Sequence, residues 1–218
     1  ITNRQYIEFI DDGGYDDFHY WLSDGWEKIE NEGWNAPMYW EKVDGQWMTC
    51  DFLGRRKINP NEPVCHVSFY EADAYCKWAG KRLPTEAEWE KAACWNEKSQ
   101  SKSIFPWGNE SPDIKHANLL ESYLWNCTEI GAYPEGKSHY GCHQMIGDVW
   151  EWTCSEFTGY PGFKTGFSEY NDKWFANQKV LRGGSFGTPS SSIRSSYRNF
   201  FRLDERWLFS GFRCVEDV

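Results

Sequence analysis

Apolar and polar positions recur with a helical period in only a few places along this chain, and each of those places carries its own start signal. Thr2 or Asn3 can cap a short helix whose apolar stripe is Tyr6, Phe9 and Ile10, with Gly13 and Gly14 stopping it. The stretch PVCHV, 63–67, reads as a strand. Ser68 and Glu71 then form an S-x-x-E capping box that predicts a helix through Ala79, closed by Gly80. Thr85 and Glu88 repeat the device, so TEAEWEKAACW, 85–95, is a second such helix. Residues 15–60 are aromatic and irregular, which predicts loops and short strands, and 96–147 are turn-rich with no sustained period. Three strand candidates follow at VWEWTCSEF (149–157), KVLRGGSF (179–186) and FSGFRCV (209–215). The pattern is that of a mixed α+β domain with helices early, strands late and long loops between.

Composition explains how so little regular structure could hold together. Of 218 residues, 18% are aromatic, with 14 Trp, 12 Tyr and 14 Phe, against a mean hydropathy of -0.76. Large flat side chains bury much area each and carry polar handles, which suits a loop-rich single domain. The formal charge is 23 minus 33, or -10, and no Lys/Arg-rich run is present, which argues against nucleic acid as a partner. No apolar run approaches the roughly 20 residues that cross a bilayer, so no membrane partner is expected. The eight cysteines show no C-x-x-C pair, and several sit in apolar stretches where a reduced thiol packs as a small hydrophobe. Reduced thiols in a cytoplasmic protein are the expectation. The chain opens on ITNRQYIEFI without Met, which suggests a piece of something longer.

Several motifs fail on context. GAYPEGKS, 131–138, fits the phosphate-loop pattern, but Pro134 lies in the loop and Gly141 arrives too soon for the helix whose amides would cradle a phosphate. His139 and His143 have the i, i+4 spacing of helical metal ligands, yet Gly141 lies between them, and Met145 stands where the acid of a His-x-x-x-His-x-Glu set belongs. Glu86, Glu88, Asp148 and Glu151, in helix caps or beside Trp, read as structural hydrogen-bond acceptors.

Residues 182–202, RGGSFGTPSSSIRSSYRNFFR, differ in kind. Glycines 183 and 184 permit positive φ or close backbone approach at a strand end. Beyond them come Arg194, Arg198 and Asn199 with the flat faces of Tyr197, Phe200 and Phe201, then Arg206 and Trp207. Arginine forks carboxylates and aromatic faces attract quaternary ammonium groups, so this could be a wall for an amino-acid-like or betaine-like ligand. The alternative is that the arginines pair with the protein's own carboxylates while the aromatics fill its core.

The ordered set KRLPTEAEWEKAA (81–93), FPWGN (105–109), ANL (117–119), MIGDVWEWT (145–153), VLRGGSF (180–186) and SGFRCVED (210–217) resembles the formylglycine-generating-enzyme, or sulfatase-modifying-factor, superfamily. The resemblance implies its loop-rich variant of the C-type lectin fold. True formylglycine-generating enzymes carry two reactive cysteines between the RGGS and GFR segments, and 187–210 here contain none, which argues against that activity. Other stretches are similar to the sulfoxide synthases of ergothioneine biosynthesis: ITNRQYIEFIDDGGY, EPVCHVSFYEADAYCKWAGKRLPTEAEWE, SEYNDKWFANQKVLRGGSF and SYRNFF. Those enzymes use non-haem iron(II) and O2 to join the sulfur of cysteine or γ-glutamylcysteine to the imidazole of Nα-trimethylhistidine (hercynine). In them an N-terminal DinB-like domain, absent from these residues, holds the iron with three histidines, so the chain alone is expected to lack its metal and be inactive.

By motif matching, the resemblance puts Asn199 and Phe200 at the hercynine contact and makes Tyr170 the candidate catalytic tyrosine, with Tyr160 a second candidate. Arg194, Arg198 and Arg206 are its candidates for the carboxylates of the thiol substrate, although Phe200-Phe201 replaces the Trp-Asp of some relatives. The resemblance also leaves room for a structural calcium near Asn118 or the GDVWEW turn. Two other readings stay open: a non-catalytic binding module on the same fold, and another oxidase of the superfamily, such as a selenoneine-type synthase.

Overall fold

The computed structural model describes residues 1–169 and 172–217. Its first element, α1 (Asn3–Asp11), starts where the sequence predicts, with Thr2 and Gln5 closing a reciprocal capping box. Tyr6 and Phe9 from this helix are fully buried, and Gly14 must be glycine because a Cβ there would lie 2.1 Å from the Phe9 ring. A second helix, α2 (Ser23–Glu32), occupies part of the region read as loops and short strands. Its N-cap, Leu22, makes no side-chain cap bond, so the usual start signal is missing. Gly25 within it is set by tertiary contact, since a Cβ there would meet Tyr70 at 2.8 Å. The short strands expected here do form: β1 (Trp40–Val43), β2 (Gln46–Asp51) and β3 (Gly54–Lys57) make an antiparallel meander.

The strand expected at 63–67 does not form. His66 takes a left-handed backbone, φ 66°, which breaks the extended run. Pro63 makes only an isolated bridge to Thr2. The remaining amides bond singly, Val64 N to Ile1 O at 2.9 Å and Val67 N to Ser210 O at 3.3 Å, while Val64 and Val67 are fully buried.

The two capping boxes downstream are both present. Ser68 caps α3 (Phe69–Trp78) and Thr85 caps α4 (Glu86–Cys94), each with its Glu reaching back. Glu88 also holds Arg82 through two hydrogen bonds, 2.9 and 2.7 Å. The Arg82 guanidinium first, and the Thr85 amide second, hold the Glu88 carboxyl down to about 2. A depressed carboxylate adds stability above its unfolded value and loses it as pH falls through the folded one. With the Glu88 side chain 44% exposed, solvent screening leaves about 1 kcal/mol of this. In chemical unfolding, Glu88→Gln is therefore expected to be less stable than wild type at pH 6, with the gap closing by pH 2.

After the short ladder of β4 (Trp95–Asn96) and β5 (Ser101–Lys102), a long turn-rich passage leads to the main sheet. This sheet consists of β6 (Trp150–Glu156), β7 (Gln178–Arg182), β8 (Asn199–Arg202) and β9 (Ser210–Gly211), in the order β8-β7-β6-β9. All neighbours are antiparallel except β6 and β9, which run parallel. The third predicted strand, 209–215, shrinks to β9 plus a bridge from Val215 to Arg82. Trp152 on β6 is fully buried and its Nε1 donates to Val67 O at 2.9 Å, which ties the sheet to the segment before α3. Trp89 of α4 is likewise buried, donating to Glu151 at 2.6 Å.

The architecture is the loop-rich α+β arrangement that the sequence predicts. All eight cysteines are unbonded to one another, and the Cys76 and Cys214 sulfurs lie 3.0 Å apart. Among the described residues no helix is long and apolar enough to cross a membrane.

Candidate functional site

β8 lies at the edge of the main sheet, paired on one side with β7 so that Val180 faces Phe200 and Leu181 faces Asn199. Strand alternation then separates its aromatics. Phe201 packs on the main core cluster, while Phe200 stacks on Phe157 just beyond β6, with ring centroids 3.8 Å apart and planes 10° from parallel. Edge-to-face contacts carry the cluster on through Phe175 to Phe163, each step 5.3 Å, and Trp174 meets Phe200 at 6.1 Å and 51°. Asn199 stands beside this aromatic corner and its Oδ1 accepts from the Phe200 amide at 3.0 Å.

Behind the wall lies a buried ionic hub. Glu86, the first residue of α4, accepts from Arg182 at 2.5 Å, Arg198 at 3.0 Å and the Tyr160 hydroxyl at 2.7 Å. Arg182 has no solvent exposure; it also bonds Glu90 at 2.7 Å and the Ser195 and Tyr197 carbonyls at 2.9 and 3.2 Å. Buried charge is tolerated only when paired and hydrogen-bonded, and here the pairing spans α4, β7 and the loop leading into β8. Arg198 completes the connection: its guanidinium carbon sits 4.3 Å over the Tyr160 ring and 4.8 Å over Phe157. Burial and the Glu86 hydrogen bond push the Tyr160 phenol up to about 12, so it keeps its proton at neutral pH. A cleft of about 720 Å³ lined by Glu86, Glu90, Lys102, Tyr160 and Arg182 opens alongside.

The candidate residues therefore divide. Arg198, Asn199 and Phe200 are gathered with Tyr160 at one corner. Arg194 is exposed, its guanidinium 5.5 Å from the Tyr197 ring, and among the described residues it makes no contact with that corner's aromatics. Arg206 lies in a separate cluster, bonded to Glu71 at 2.8 Å and to the Ala36 carbonyl and stacked 4.2 Å over Trp34. Tyr170 lies outside the described residues. Phe157, Phe163, Trp174 and Phe175 complete the corner and were not among the candidates; the aromatics recurring every few residues over 157–175 were the available signal.

The other motifs resolve structurally. Residues 137–144 form turns rather than a helix, and Gly136 of the phosphate-loop look-alike packs on the His116 carbonyl, where a Cβ would lie 1.9 Å away. Among the described residues no group of three or more His, Cys, Asp or Glu could hold a metal ion. Near Asn118, the buried Asp148 accepts from Asn118 Nδ2, Thr128 N and Oγ1 and Gln144 Nε2, all within 2.9 Å. Its oxygens face donors, the opposite of what calcium requires, so these residues do not fit that ion.

The fold defined by these elements is shared with solved structures of low sequence identity. PvdO from Pseudomonas aeruginosa aligns with a TM-score of 0.58 at 22% identity, covering 88% of this chain and 76% of that one. Treponema denticola variable protein 1 aligns with a TM-score of 0.57 at 20% identity, over 70% of each chain. The class is thus the formylglycine-generating-enzyme variant of the C-type lectin fold. Within it, residues 1–218 match the sulfatase-modifying factor enzyme 1-like domain, and the chain belongs to that family. Over its whole length it is 41% identical to the hercynine oxygenase of Mycobacterium tuberculosis and 42% identical to that of Mycolicibacterium smegmatis, in each case covering 51% of the relative. The chain spans about half the length of these relatives. It is also 30% identical to the formylglycine-generating enzyme of Thermomonospora curvata, covering 80% of that protein.

Proposed function

We propose that this chain is the substrate-holding domain of an enzyme that joins the sulfur of cysteine or γ-glutamylcysteine to the imidazole of hercynine, in an O2-dependent step. Similarity over the whole of this chain to about half of two hercynine oxygenases supports the substrate class. The observation that carries the reading is the Phe157–Phe200 stack with Asn199 beside it on an edge strand. Aromatic faces attract a trimethylammonium group, and an amide can hold an amino-acid carboxylate or ring nitrogen by directed hydrogen bonds. Arg198, tied to Glu86 and the Thr158 carbonyl, positions this corner, while the exposed Arg194 offers its fork to the carboxylate of the thiol substrate. Arg206, held by Glu71 and Trp34, is assigned to the frame. Tyr170 keeps the role of proton donor in this reading. Iron(II), held by a DinB-like N-terminal domain of the complete enzyme, would supply oxygen activation.

In the complete enzyme, Asn199→Ala is expected to weaken hercynine binding about tenfold, the value of one well-made hydrogen bond. Calorimetry reads the affinity and metal analysis the iron content, which should not change. Wild-type hercynine affinity in this variant would remove Asn199 from the site.

A further inference from the structure

A second cavity, of about 400 Å³, opens on the face carrying the β1–β3 meander and is independent of the aromatic corner. Its walls include Tyr39, Phe52, Phe186, Trp207 and Phe209. The rings form a continuous lining: Phe186 and Phe209 lie 4.4 Å apart, and Phe52 meets Phe209 at 5.7 Å. Phe52 and Trp207 are 66% and 54% exposed at the rim, so the cavity is open to solvent. Cys65 and Cys127 both line it and pack in one cluster with Val149, Phe186 and Phe209.

The two thiols thus share one packing cluster on the cavity wall, and His66, the next residue after Cys65, lines the same cavity. His66 is fixed in place by strain and packing. Its backbone is left-handed at φ 66°, and its ring is held edge-on by Tyr39 at 4.8 Å and Phe209 at 5.6 Å. Its Nδ1 is shut from solvent without a hydrogen-bond partner. A left-handed non-glycine residue costs about 1–3 kcal/mol, and such strain gathers at working sites. A paired thiol, an adjoining imidazole and an open apolar cavity are the parts of a reactive cysteine site with its own resolving partner.

We propose that Cys65 and Cys127 form a peroxide-reactive thiol pair at the base of this cavity, with Cys65 as the attacking sulfur, Cys127 as the resolving thiol and an apolar organic hydroperoxide as the oxidant. The Cys65 thiolate attacks the terminal peroxide oxygen, an S–O bond forms as the O–O bond breaks, and the leaving alkoxide takes a proton from His66. Sulfur is oxidised by two electrons to the sulfenic acid and the hydroperoxide is reduced to its alcohol. The Cys127 sulfur then attacks the Cys65 sulfur, the S–O bond breaks, and the Cys127 proton leaves with the hydroxyl as water, giving a disulfide.

The electrostatics agree with this division of labour. Burial opposes ionisation of Cys65, but the Cys127 hydrogen bond and the neighbouring His66 outweigh it and bring the thiol down to about 5. Cys127 is driven well up by Cys65, by burial and by the charges of Asp148 and Glu62. Burial pulls His66 down most strongly, but the Cys65 charge and hydrogen bonds to Cys65 and to the Arg206 and Trp207 backbone together raise it.

The test is disulfide mapping by mass spectrometry on the full chain, treated at pH 6 with equimolar cumene hydroperoxide or hydrogen peroxide. Cys76 and Cys214, whose sulfurs lie 3.0 Å apart, provide an internal comparison. The 65–127 link is expected to form about tenfold faster than the 76–214 link, and faster with cumene hydroperoxide than with hydrogen peroxide. Cys127→Ser should stop at a sulfenic acid on Cys65 that dimedone labels, and Cys65→Ser should abolish labelling at this cavity. Equal rates for the two links in the wild-type chain would overturn the thiol pair without needing either variant to fold. A preference for hydrogen peroxide would overturn the organic oxidant.

Discussion

Replacing Arg182 with methionine is expected to lower the folding free energy by about 3–5 kcal/mol, because removing one partner of a buried ion pair strands the others. Arg182 has no exposure, and its loss leaves Glu86 and Glu90 facing each other without their shared cation and the Ser195 and Tyr197 carbonyls without a donor. At roughly 2–4 °C per kcal/mol for a domain of this size, the melting midpoint should fall by about 10 °C. Glu86 keeps Arg198 and Tyr160, but neutralising one of the two facing carboxylates should recover part of the loss. The double variant Arg182→Met, Glu86→Gln is therefore expected to melt above the sum of the single effects, measured by thermal unfolding of all three variants. Strict additivity would mean that the two side chains do not act as a pair.

Gly147→Ala is expected to be as damaging, for a different reason. Gly147 takes φ 90°, and a Cβ there would lie 2.5 Å from the Asn118 carbonyl oxygen and 2.9 Å from its amide nitrogen. Both obstacles are backbone, so neither can rotate away. A left-handed alanine costs about 1–2 kcal/mol, and overpacking adds about 1–3 kcal/mol or more. Gly80 supplies the control: it is also left-handed, φ 66°, with nothing within 4 Å of a Cβ. Gly80→Ala should show the conformational cost alone, and Gly147→Ala should lie about 2–3 kcal/mol below it in chemical unfolding. If the two variants unfold together, the close approach of 147 to 118 contributes nothing.

The elements legible in the sequence are those whose cause is local. Thr2/Gln5, Ser68/Glu71 and Thr85/Glu88 each satisfy their own helix start within three residues, and all three helices begin where those boxes place them. Helix α2 escaped because its start carries no side-chain cap and its glycine answers to Tyr70, forty-five residues away. PVCHV misled for the complementary reason: its valines are buried as strand residues would be, but the left-handed His66 between them depends on the cavity around it. Asn199 and Phe200 could be singled out from one stretch because YRNFF is contiguous. The partners that make them a wall, Phe157, Phe175 and Trp174, come from a different strand end and loop, and pairing across that distance leaves no local mark. Of the arginines, Arg198 and Arg206 pair with the protein's own Glu86 and Glu71, and Arg194 is exposed.

Glu86 bonds at once to Arg182, Arg198 and Tyr160, three residues far apart in the chain. Drift at these four positions is consequently constrained in order as well as in kind. A neutral residue at 86 would leave the Arg198 guanidinium without its acid and Arg182 with Glu90 alone, whereas losing Arg198 first leaves Glu86 still held by Arg182. Descendants of such a chain should reach a new corner by way of position 198 or 160, with 86 and 182 changing together or not at all.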